Sequence, residues 1–347
     1  MGFDRRMASA LAVAVFFATP ATAQSVADFY KGGKLTLIVA SGVGGGYDAY
    51  ARTFARHFDR HVPGQPAVVV QNMDGASGMI ATNHLANRAA RDGSIILATY
   101  NSLLIQPLFD NNNVQFDVQT MGWIGSIGKQ ANICMTWHTS PVKKLEDAKN
   151  REMSVSSTGA TSSTTQLPNV LNRLVGTKFK PIIGYATNAM YLALERGEVD
   201  GLCGLSYSTM KASHGDWVAG KKLNILTQFG SARIADLPDV PLITDYAKTE
   251  EQKGVLELVF AQQAISRPIL GPPGVPADRL AALRKAFDDT MKDPQFLAES
   301  QKVNQDVEPL SGTEVAAKLK QAYATPKEVI AFSADLLTNQ PKPETKK

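Results

Sequence analysis

Cysteine and histidine are scarce, at two and five in 347 residues. Two thiols cannot supply a four-ligand zinc centre. His57 and His61 stand one helical turn apart, but no third ligand lies near them and the apolar stripe of that stretch faces the other way, so a solvated face is expected. His84, His138 and His214 are scattered. No H-E-x-x-H, no G-x-S-x-G elbow and no G-K-S/T phosphate loop occurs, so neither a catalytic residue, a metal nor a cofactor is expected. Neither sign of charge dominates, with 36 Lys and Arg against 32 Asp and Glu. No basic block precedes the tail, which argues against a nucleic-acid partner. No apolar run reaches the ~18 residues of a membrane helix.

What the sequence does have begins with a leader. Residues 1–23 carry Arg5 and Arg6, an apolar run over 8–18, and then Ala21-Thr22-Ala23. This is the pattern of a cleaved secretory peptide, with the mature start near Gln24 and the periplasm as the expected location. In an exported chain the even pair Cys134 and Cys203 favours a disulfide, with two buried thiols as the alternative.

Short β-branched runs alternate with amphipathic stretches. Residues 35–40, 67–72 and 94–99 read as strands, with helices over 48–61 and 79–90 between them; Tyr50, Phe54 and Phe58 share one stripe of the first helix. A second set has strands at 153–157, 180–185, 200–204 and 223–229, with helices at 164–175 and 188–196. Residues 133–137 read as the strand that crosses between them. A late helix from about Pro276, with Ala277, Leu280 and Leu283 inward, should return to the first set. Two α/β lobes with parallel sheets follow: 24–131 plus 234–336, and 132–233, with a disordered tail over 337–347.

Glycines gather where the first strand meets its helix, in S-G-V-G-G-G-Y-D from Ser41 to Asp48. Free N–H groups at a helix amino end accept anions, so phosphate, carboxylate or a merely tight turn are the options. Gly44 to Ala49 satisfies G-x-G-x-x-A, a dinucleotide pattern, yet Asp48 would repel a pyrophosphate and the second strand ends in Gln71-Asn72 without the ribose-binding acid. Gly75, Ala76, Ser77 and Gly78 repeat the device after the second strand, and Ser102 follows the third. The second set offers hydroxyls at equivalent positions: the Ser/Thr run 156–165 with Thr161 and Ser162, then Thr187-Asn188, and Ser206. Two facing edges of amides and hydroxyls with few fixed cations suit a carboxylate.

These residues resemble the periplasmic receptors of tripartite tricarboxylate transport, also called Bug proteins. The family's P-G-G-x-x-D followed by A-R is matched by Gly44-Gly45-Gly46-Tyr47-Asp48 and Ala51-Arg52. Its E-N-x-P-G-A-G-G and P-D-G are matched by residues 71–78 and 91–93, its G-x-V-D by 197–200, and its L-P-D-V-P by 237–241. The resemblance implies a two-lobed, type II periplasmic binding fold that closes on a small organic carboxylate. Gly45, Gly46, Tyr47, Asp48, Ala76, Ser77 and Gly78 would grip one carboxylate, with Ser102 nearby, and Thr161, Ser162, Thr187 and Asn188 would select the rest. Such a receptor is monomeric and hands its ligand to transporter membrane subunits, or shows its closed form to a sensor kinase. A secreted hydrolase or reductase is the rival of another class. Val43 in place of the family proline, Ser77 in place of glycine and Gly204 where many members carry an acid leave the ligand open; Tyr47 and Tyr100 make an aromatic or longer dicarboxylate as plausible as citrate.

Overall fold

The computed structural model describes residues 24–109, 112–230 and 232–338. The expected leader and the end of the tail lie outside them. Among the described residues, eleven strands form two sheets. The first contains β1 (Lys34–Val39), β2 (Ala67–Asn72), β3 (Ile95–Ala98), β4 (Gly122–Gly128), β10 (Ser266–Gly271) and β11 (Leu310–Ser311). The second contains β5 (Asn132–Trp137), β6 (Met153–Ser157), β7 (Phe179–Ile183), β8 (Gly201–Ser206) and β9 (Leu223–Phe229). Their orders are β11-β4-β10-β3-β1-β2 and β7-β6-β8-β5-β9.

The sheets are mixed, where wholly parallel ones were expected. β1, β2 and β3 are parallel, as are β6, β7 and β8, but β10 runs antiparallel to β3 and β4, and β5 antiparallel to β8 and β9. The cause is the crossing itself. A strand that enters a lobe through the hinge starts at the inter-lobe side, so it opposes strands that end there.

Helices cover the sheets through the predicted stripes. In the helix Gly46–Phe58, Tyr50, Phe54 and Phe58 are all buried. Phe54 packs on Phe58 and on Phe287 of the helix Ala277–Thr290, at centroid distances of 4.5 and 5.8 Å. Burying each such ring contributes on the order of 2 kcal/mol. The late helix does pack on the first sheet, although Ala277 is exposed and Leu283 carries the contact. The helices Glu250–Ala264 and Lys327–Thr338 share a core with the second sheet, through Val255, Val259 and Leu337 packed among Val155, Leu171 and Phe229. The last helix thus extends into the segment expected to be tail.

The face carrying His57 and His61 packs against another helix, where a solvated face was expected. His57 is buried with Nε2 2.6 Å from the Glu299 carboxylate, and His61 Nε2 lies 2.8 Å from Asp293. Both acids come from the helix Pro294–Lys302 and its cap, more than two hundred residues away, which helical spacing cannot reveal.

Cys134 and Cys203 face each other on the antiparallel pair β5 and β8 and are joined by a disulfide. Denatured, unreduced protein is therefore expected to show no titratable thiol, and reduction to lower stability by roughly 2–4 kcal/mol. Two thiols per unreduced chain would contradict the bridge.

Candidate ligand-binding cleft

The carboxyl ends of β1, β2 and β3 face those of β6, β7 and β8 across one crevice, the position where open α/β sheets hold ligands. From these ends start the helices Gly46–Phe58, Ser163–Val175 and Thr187–Glu195. Their N-cap residues, Gly45, Ser162 and Ala186, form no side-chain cap hydrogen bond. First-turn N–H groups from both lobes therefore lack side-chain partners at the crevice and give it a positive potential.

Two cavities share Tyr100, Thr158 and Thr187 in their walls. The outer, of about 230 Å³, lies between Gly42, Val43 and Gly45, loop residues 74–77 and the segment 184–188. The inner, of about 50 Å³, is walled by Gly46, Tyr47, Ser162, Ser163, Thr164, Tyr191, Ser206, Thr209 and Arg267. A larger groove of about 740 Å³ opens at Lys129, Lys211 and Asp236, and it receives neither glycine loop. The lobes touch across the cleft: Arg267 Nη2 donates to Thr209 Oγ1 at 2.9 Å. A methyl on Gly46 would sit 2.7 Å from Thr209 Cγ2, and one on Gly159 would overlap Ser77 Oγ.

Asp48 does not face the cleft cavities; it holds the loop from beneath. Its buried carboxylate accepts from the N–H of Gly44 at 2.8 Å, from Arg52 Nε at 2.9 Å and from Asn72 Nδ2 at 2.8 Å. Asn72 Nδ2 also donates to the Ser41 carbonyl at 2.8 Å, and Arg52 Nη2 to Asn72 Oδ1 at 2.7 Å. Burial pushes the Asp48 pKa up, but the hydrogen bonds from Arg52, Gly44 and Asn72 outweigh it and hold the group below its ordinary 3.8.

Arg267 is the site residue that the sequence reading missed, since that reading expected few cations. It is 5% exposed and stands at φ +61°, a left-handed conformation that is strained for a side chain of this size. Its guanidinium lies against the rings of Tyr47 and Tyr50, 4.4 and 4.7 Å from their centroids. Nη1 donates to Gln130 Oε1 at 2.7 Å and to Ser266 Oγ at 3.0 Å, both neutral. Nε is buried without a partner. The available signal was a lone cation inside an apolar run, I-S-R-P-I-L-G over 265–271.

The other predicted residues divide. Gly45, Gly46, Tyr47, Gly75, Ala76, Ser77, Ser162, Thr187, Asn188 and Ser206 wall the two cavities. Gly44, Gly78, Ser102 and Thr161 do not. Ser77 Oγ is buried without a partner, whereas the Ser162 hydroxyl is turned inward to the Gly159 carbonyl at 2.7 Å. Residues 75–78 all have positive φ, Ala76 and Ser77 included, so this loop is held in a strained shape. Tyr47 donates to Asn101 Oδ1 at 3.0 Å; burial pushes the Tyr47 and Tyr100 phenols up, so both remain neutral.

The family model for the tripartite tricarboxylate transporter family receptor, TctC, matches residues 51–330. A UPF0065 protein of Bordetella bronchiseptica is 24% identical over 269 residues, covering 75% of this chain and 73% of its own length. Among solved structures, the periplasmic binding protein BugD superposes with a TM-score of 0.71 at 20% identity, over 90% of this chain and 100% of its own. MatC from Rhodopseudomonas palustris with bound malate gives 0.67 at 17% identity, over 86% and 98%. An R. palustris protein with adipate gives 0.68 at 16%, over 87% and 97%.

The Asp48 clasp predicts a pH signature. A carboxylate whose folded pKa is depressed stabilises the fold fully above its unfolded value, and that contribution disappears as pH falls through the folded value. Asp48→Asn is expected to cost about 1.5–3 kcal/mol at neutral pH, the range for hydrogen bonds to a charged group. The gap to wild type in denaturant titrations should narrow below the ordinary pKa of 3.8. A gap independent of pH would contradict the charged clasp.

Proposed function

The chain belongs to the tripartite tricarboxylate transporter receptor family, TctC, and from that premise we propose that it captures a small organic carboxylate in the periplasm by closing its lobes and delivers it to a membrane permease. One observation carries this reading: helix amino ends without side-chain caps reach one cleft from both lobes. A carboxylate placed there satisfies N–H groups on each side and draws the lobes together. The bodies that move are 24–131 with most of 234–336, and 132–233. The leader pattern and the periplasmic BugD neighbour support the location. The malate and adipate held by two neighbours of the same fold support the ligand class.

Binding without chemistry is the companion proposal. The hydroxyls of Ser157, Ser162, Thr164 and Thr165 bond to one another and to the Gly159 carbonyl, an arrangement that positions a loop and does not activate a nucleophile.

A thermal-shift panel of mono-, di- and tricarboxylates, aliphatic and aromatic, tests the reading: a carboxylate that binds only the folded state must raise the apparent melting temperature. For the best responder, Gly46→Ala should weaken binding by about tenfold or more, close to 1.4 kcal/mol, because its methyl meets Thr209 as the lobes close. The unliganded melting temperature should change little, because the contact is with a side chain of the opposite lobe and an open cleft relieves it. Unchanged affinity would remove closure through Gly46 from the account.

A further inference from the structure

We propose that Arg267 seats a second ligand anion, so that the captured molecule is a dicarboxylate with one carboxylate on the helix amino ends and the other on this guanidinium. The proposal rests on the cleft reading above and deepens it.

Arg267 is a permanent cation, 5% exposed, in the wall of the inner cavity. Among the described residues no carboxylate lies within 4.0 Å of its guanidinium. Its hydrogen-bond partners, Gln130, Ser266 and Thr209, carry no charge. A buried ion without a counter-ion is strongly disfavoured unless something else compensates it. The ring faces of Tyr47 and Tyr50 offset part of that and fix the plane of the group. Nε is left buried with nothing to donate to. A carboxylate in the inner cavity would supply the missing counter-charge in the charge-assisted manner typical of arginine. The two seats are separate because the N-caps Gly45 and Ala186 and the loop residues 75–77 border the outer cavity, while Arg267 borders only the inner one. A monoacid therefore leaves one seat unmet.

The test uses titration calorimetry on wild-type protein and on Arg267→Gln, with the α,ω-dicarboxylates from succinate to adipate and the monomethyl ester of each. Wild type should bind its preferred diacid at least about tenfold more tightly than the half-ester, the scale of one charged hydrogen bond. Arg267→Gln should bring diacid and half-ester to the same affinity. Equal wild-type affinities would overturn the second seat, and so would a preference that survives in the variant. If the glutamine variant does not fold, the wild-type comparison still decides, and Arg267→Lys should keep the diacid preference in weakened form. Wild type that binds neither class overturns the cleft reading itself, an outcome distinct from failure of Arg267 alone.

Discussion

The Asp48 carboxylate beneath the first glycine loop sets the geometry on which the cleft depends. A loop with glycines at 42, 44, 45 and 46 loses much conformational entropy when it is fixed in one shape. Asp48 opposes that loss by tying Gly44, Arg52 and Asn72 together, and Asn72 ties the loop back to β2. The amino end of the helix Gly46–Phe58 is thereby left toward the cleft, without a side chain of its own to satisfy it. A carboxylate in the first turn also favours the helix through its dipole.

The second constraint is the crossing between lobes. Gln130, just before β5, and Ser266 and Arg267 in β10 lie side by side, and the Gln130 N–H donates to the Gln263 carbonyl at 3.0 Å. Arg267 thus touches the crossing through Nη1 and the opposite lobe at Thr209 through Nη2, and it lines the inner cavity. An anion bound there would act on the same group that bridges the lobes, and would link occupancy of the cleft to closure by direct contact. Strain in the 75–78 loop and at Arg267 lies at the same two places, consistent with strain retained where binding needs it.

Much of the fold was legible because local pattern decides it. The alternation of strand and helix, the Tyr50, Phe54 and Phe58 stripe and the glycine turns all express short-range periodicity and backbone freedom. Mixed strand direction was not legible, because it follows from how the chain passes between lobes. The pairing of His57 with Glu299 joins residues 242 positions apart, and no periodicity encodes that. At the cleft, the glycine loops announced themselves by composition. Arg267 did not, since a single cation in a strand gains its meaning only when its neighbours prove to be tyrosine rings, one amide and two hydroxyls. Asp48 shows the converse: a motif residue beside a binding loop can serve the loop from within.

Closure of two lobes on one anion implies that amides of both become shielded together. Hydrogen exchange of the protein, with and without a saturating dicarboxylate, measures this directly. Slower exchange on ligand addition is expected at residues 45–48 in the first lobe and at 163–166 and 187–190 in the second. Slowing confined to one lobe, or to the groove near Lys129 and Asp236, would contradict capture by closure at this cleft.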